Sequence, residues 1–99
     1  MANHRVRVRS VTRASAAERQ GGLLAYLTID YGDIALDSVV LRRTLDSRHV
    51  LSFPQRRDRA GRVHAYVKPV SEAARVEIER QVFAQVDVEL LDTWEPDDA

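Results

Sequence analysis

From His4 to Thr12 the chain alternates, with Arg5, Arg7 and Arg9 on one side and Val6 and Val8 on the other. A period of two is that of a strand with one buried face, and here the outer face is basic. The alternation weakens at Ser10-Val11, which predicts a bulge or the strand's end. Residues 13–21 hold no sustained period and predict a connection, with at most a short helical turn ended by Gly21-Gly22.

Leu23 to Ile29 is the most apolar stretch, too short for a core helix and rich in β-branched and aromatic residues. It predicts a central strand. Asp30-Tyr31-Gly32-Asp33 then turns the chain into Ile34 to Leu41, a second apolar strand, so the two form a hairpin. Asp37 must face solvent or a hydrogen-bonding partner, because a lone buried carboxylate is costly. The two strands, 23–29 and 34–41, are expected to supply core and an edge for a second subunit. His49 to Phe53 predicts a short strand, stopped where Pro54 denies the next ladder bond. Gln55 to Arg62 reads as a loop with Gly61 in a left-handed turn, and Val63 to Val67 returns as a strand.

Ser71 has the chemistry of a helix N-cap, with Glu72 in the first turn where the dipole favours an anion. Ala74, Ile78, Val82 and Val86 recur every four residues and Phe83 widens the stripe, which predicts an amphipathic helix on a sheet. Glu77, Glu79 and Arg80 are expected on its wet face. Beyond Val86, Leu90, Leu91 and Trp94 either extend the helix or pack back separately, and Glu95 to Ala99 reads as a frayed acidic end. The predicted architecture is a single α+β domain over residues 1–86, an antiparallel sheet of four to five strands with one C-terminal helix packed on it. Residues 87–99 form an acidic tail.

Composition narrows the function classes. At 99 residues the chain has room for one domain, and 44% apolar residues suffice for a core. A domain this small still leaves roughly a third of its unfolded surface exposed, which favours pairing with a copy of itself. Absence of cysteine excludes disulfides, thiolate chemistry and Cys-based zinc motifs. No apolar run approaches the ~20 residues of a membrane span, and the first residues lack an export signal's apolar core. A cytoplasmic protein with no membrane partner is the expectation.

Zero net charge conceals polarity along the chain. Residues 42–75 carry nine Arg and Lys against three acids, whereas residues 76–99 carry Arg80 against eight acids. The basic residues of the middle segment are Arg42, Arg43, Arg48, Arg56, Arg57, Arg59, Arg62, Lys68 and Arg75. They fall in predicted loops, at strand edges or in the first helical turn. If the hairpin at 56–62 folds beside the 68–75 junction, its guanidiniums form one positive rim, and Arg matches phosphate oxygens with a planar donor fork. Free N–H groups at the helix start, beside Ser71, Lys68 and Arg75, would add an anion site. Tyr26, Tyr31, Phe53, Tyr66 and Phe83 read as core, so phosphate contact is favoured over base stacking.

Catalytic chemistry finds little foothold. His4, His49 and His64 have no metal-ligand spacing, and even His49 and His64 facing each other across paired strands would lack a third ligand. Asp30 and Asp33 flank a glycine turn, where they read as turn caps. There is no phosphate-cradling glycine loop and no nucleophile elbow. No catalytic residue, metal or cofactor is expected.

Leu27-Thr28-Ile29-Asp30, Asp37 in the next strand and Phe53-Pro54-x-Arg56-Arg57 resemble the stage V sporulation protein G (SpoVG) or septation regulator family. The resemblance continues through Gly61, Lys68-Pro69-Val70, Arg75, Ile78 and Val82 and spans residues 23–86. It implies a small α+β domain that dimerises through its sheet and binds DNA, sometimes RNA, as a bacterial regulator. It also implies that Arg56, Arg57 and the stretch from Lys68 to Arg75 make the contacts. The chain departs from the family pattern at Val39, Ala65 and Lys68 and in the loop at 42–48.

The expectation is therefore a non-enzymatic, homodimeric nucleic-acid-binding regulator, most of all DNA-binding. Arg56, Arg57, Arg59, Arg62, Lys68, Ser71 and Arg75 are its contact residues. The alternative is a protein-interaction or structural module acting through its dimer edge and acidic tail, the tail binding a basic protein partner or folding back over the arginine rim.

Overall fold

The computed structural model describes residues 5–93. The readings of Trp94 and of Glu95–Ala99 lie outside the described residues. Four strands, β1 (Val6–Arg13), β2 (Leu23–Tyr31), β3 (Ile34–Arg43) and β4 (His49–Ser52), form one antiparallel sheet in chain order. The helix α2 (Glu72–Phe83) lies across one face, which makes the α+β class plain. Two short helices accompany it, α1 (Ala16–Gln20) between β1 and β2, and α3 (Val88–Asp92) after α2.

Alternation decides which face is covered. Val6 on β1, Ala25, Leu27 and Ile29 on β2, Val39 and Leu41 on β3 and Leu51 on β4 meet Ile78 and Val82 of α2 in one core. Leu24, Ile29, Leu41 and Val82 have no exposed surface at all. Burying such a side chain contributes about 1.5–3 kcal/mol, so this row holds helix to sheet. The register shifts between Val8 and Ser10, where the sequence pattern weakens. A second shift between Leu27 and Ile29 sets Asp37 and Ser38 against Thr28, with Ser38 at φ 62°. Asp37 meets its requirement there, as Thr28 Oγ1 donates to Asp37 Oδ1 at 2.8 Å.

Side chains of the helix and of the turn after it meet peptide groups at both borders of the sheet. On β1, the Val6 and Val8 N–H groups donate to Gln81 Oε1 and Gln85 Oε1, each at 2.8 Å, while Gln85 Nε2 donates to Val6 O at 2.7 Å. The Gln85 amide thus stands where a neighbouring strand's peptide would. On β4, the Leu51 N–H donates to Glu79 Oε2 at 2.9 Å. Glu79 is only 8% exposed, contrary to its expected place on the wet face. A buried carboxylate survives because Arg75 Nη1 reaches both its oxygens, at 3.1 and 3.0 Å.

The sheet order refines three further readings. Residues 63–67 do not add a fifth strand to the sheet: β6 (Val63–Ala65) pairs with β5 (Gln55–Arg57) in a separate two-stranded hairpin, because Pro54 ends the β4 ladder. His49 and His64 consequently sit in different sheets. The strands 23–29 and 34–41 are both inner strands, and only the first half of β3, before Val40, lacks a second strand neighbour.

The helix does not run on into the tail. It ends at Phe83, and Asp87 caps α3, its side chain accepting from the Leu90 N–H at 3.0 Å. Asp92 then ties α3 to the sheet through Arg43 and through His49 Nε2, the latter at 2.7 Å. This stretch of the acidic tail folds back on the end of the sheet, on Arg43 and His49.

Candidate nucleic-acid interface

The hairpin β5–β6 is built around one carboxylate. Asp58 Oδ1 accepts the N–H groups of Ala60 and Arg62, both at 2.9 Å, and Oδ2 lies 2.8 Å from His64 Nε2 and 3.2 Å from Arg62 Nε. Those bonds, the one from His64 foremost, hold the Asp58 carboxyl below its ordinary value. Gly61, at φ +83°, supplies the left-handed residue that the tip needs. Arg57 Nη1 donates to the Gly61 carbonyl at 2.7 Å. The base is fixed where the Tyr66 N–H donates to Pro54 O at 3.0 Å. A charged stretch that reads as loop is therefore a pinned hairpin, its order coming from backbone pairing and Asp58 rather than from an apolar face.

The expected contact residues divide into two groups. Arg56 and Arg59 are exposed on the hairpin and Lys68 follows it, none with an acidic partner among the described residues. Arg57 follows Arg56 on β5, so its side chain leaves the opposite face of the ribbon; it donates only to a backbone carbonyl and has no acidic partner among the described residues. Arg62 shares Asp58 with His64, and its charge is locally balanced. Arg75 is bound by Glu79 and Glu72, with the Glu72 contact leading the rise in its pKa. Ser71 caps α2, its Oγ accepting the Ala74 N–H at 3.0 Å. The Ala74 N–H is thus taken and Glu72 stands beside it, so Ser71 and Arg75 are both engaged locally, unlike Arg56, Arg59 and Lys68.

Two groups outside the expected set join this rim. Arg42, near the end of β3, has no acidic partner among the described residues. Tyr66, expected in the core, is 67% exposed, following a two-stranded hairpin that stands apart from the four-stranded sheet. Arg42 and Tyr66 share the wall of an open recess of about 570 Å³ with Gln55 and Pro54. Spacing could have located Arg75 beforehand, since Glu72 and Glu79 stand three and four residues from it. Nothing in the local sequence marks Tyr66, which by composition belongs to a strand.

The basic ladder on β1 forms a second, separate patch. Arg9 forks onto Asp30 with both bonds at 3.0 Å, while Arg5 and Arg7 line a recess with Asp30 and Gly32. Arg7 pairs in register with Asp30 and Arg42 with Leu23, so the two patches stand about 23 Å apart along β2.

Among the described residues no three His, Asp or Glu side chains converge on a common point that could hold a metal ion. No helix among them is long and apolar enough to cross a membrane. Comparison with protein-family models, with curated proteins and with solved structures finds no match to this chain.

Proposed function

We propose that this protein is a nucleic-acid-binding regulator, directed chiefly at DNA, that works as a homodimer by reversible occupancy rather than catalysis. The observation carrying the reading is the set of cations without acidic partners among the described residues on and beside the hairpin: Arg56, Arg57 and Arg59, then Lys68, with Arg42 at the base. A guanidinium already paired with a carboxylate must break that pair to meet a phosphate. Among the described residues these side chains have no such pair to break, and the Asp58 network braces the hairpin that carries Arg56, Arg57 and Arg59. The resemblance of residues 23–86 to the SpoVG family, read from the sequence alone, favours the same reading and a cytoplasmic, bacterial regulator.

The first half of β3 is a strand edge open to a second copy. Gln81 and Gln85 occupy β1 at Val6 and Val8, and Glu79 occupies β4 at Leu51. The first half of β3 is bare, with Ile34 63% exposed. Pairing there would place two hairpins in one assembly and raise avidity for a long polyanion.

A salt titration by fluorescence anisotropy on random duplex and single-stranded DNA tests the reading. Replacing Arg56 and Arg59 by Ala lowers the slope of log affinity against log salt by roughly one unit per lost phosphate contact, for every sequence alike. Replacing Arg80, bound by Glu77 on the outer face of α2, leaves the slope unchanged. Affinity independent of salt, or equal slopes for both variants, rejects the hairpin as the contact surface.

A further inference from the structure

The recess at the hairpin base has more than a phosphate rim requires. Tyr66 presents an exposed aromatic ring on its wall. Ser38, Ser52 and Gln55 line the same recess, and none of the three has a side-chain hydrogen bond among the described residues. Arg42 adds a cation without an acidic partner at the wall. A flat apolar face, donors and acceptors able to meet a ring edge and one positive charge are together the complement of a nucleotide whose base is unstacked. The volume, about 570 Å³, falls in the range of small-molecule sites.

We infer that this recess takes one unpaired nucleobase, stacked on Tyr66 with its phosphate toward Arg42, and that the protein therefore engages nucleic acid as a single strand. The inference rests on the nucleic-acid reading above and specifies which form is bound. A base inside a duplex offers neither face to a protein, so the recess contributes only where the strand is open. Stacking is indifferent to base identity, and the three polar groups can each donate or accept, so sequence preference from this recess is weak.

The test measures affinity by anisotropy at low salt with the full chain and three labelled probes: a twelve-residue oligothymidylate, the same length of abasic strand and a twelve-pair duplex. The inference expects oligothymidylate to bind more tightly than the abasic strand. Tyr66→Ala weakens oligothymidylate by about tenfold, Tyr66→Phe keeps parental affinity, and both variants leave the abasic strand and the duplex unchanged. Tyr66 is surface-exposed, and unchanged circular dichroism confirms that each variant is folded. Equal affinity for oligothymidylate and abasic strand, or no effect of Tyr66→Ala, overturns the stacking inference while salt-dependent binding by the rim still stands. Binding of none of the three probes overturns the nucleic-acid reading and this inference with it.

Discussion

Glu79 offers the sharpest test of how the helix holds the sheet. Its carboxylate accepts the Leu51 N–H at 2.9 Å and is itself gripped by Arg75, with Glu79 8% and Leu51 5% exposed. Glu79→Ala removes an ionised acceptor and leaves that N–H in a place water does not reach. A hydrogen bond to a charged group is worth about 1.5–3 kcal/mol, and a buried group left unpaired loses a similar amount, so the variant should be destabilised by about 3 kcal/mol. For a domain of this size that lowers the melting temperature by about 12–24 °C. Glu79→Gln keeps an acceptor for Leu51 and gives up only the charge toward Arg75, so its loss should be about 1 kcal/mol. Urea unfolding followed by circular dichroism gives both values, and hydrogen exchange adds a local reading, since the Leu51 amide should lose protection ahead of Leu27. A Glu79→Ala stability within about 0.5 kcal/mol of the parent, the range of an ordinary surface change, would refute the claim that this side chain closes the β4 border.

Two other outcomes follow from the geometry. Gly22 sits at φ +98°, where an added Cβ would lie 2.7 Å from the Arg43 carbonyl oxygen, so Gly22→Ala should lower stability by about 1–3 kcal/mol; an unchanged urea midpoint would reject this. Burial alone would raise the Asp92 carboxyl, but hydrogen bonds from His49 and Arg43 outweigh it and hold the folded value below the ordinary 3.8. Its stabilisation is thus complete above the unfolded value and is lost as pH falls through the lower, folded one. Asp92→Asn should be less stable than the parent at neutral pH, with the gap closing as acid is added, and a gap constant across the titration would contradict the tie between α3 and the sheet.

Much of the fold was legible because its elements bury one face. Val6 and Val8 alternate with arginines, and Ala74, Ile78 and Val82 recur at helical spacing, so period alone located β1 and α2. Glu79 was misplaced because a charge normally faces water, yet its neighbour Val82 on the helix surface is fully buried, and Arg75 four residues earlier is the partner that permits burial. The turn at Gly61 was legible, but the pairing of 55–57 with 63–65 as a sheet of its own was hidden for the opposite reason. Its strands cover no core, and what orders them is Asp58 meeting two amides, a guanidinium and an imidazole, a convergence visible only in three dimensions. Of the candidate site, the sequence disclosed the charge, but which arginines lack a carboxylate depended on that folding.

Both borders of the sheet wait for one late segment of chain. Val6 is satisfied by a residue 75 positions downstream and Leu51 by one 28 positions downstream. On the ribosome, a nascent chain that has emerged only as far as Pro69 would have its strands but bare peptide groups along each flank, a condition that invites sticking to other chains. Completion of the C-terminal third is then the step that makes the protein safe in a crowded cell, and a truncation before Glu79 should collect in aggregates.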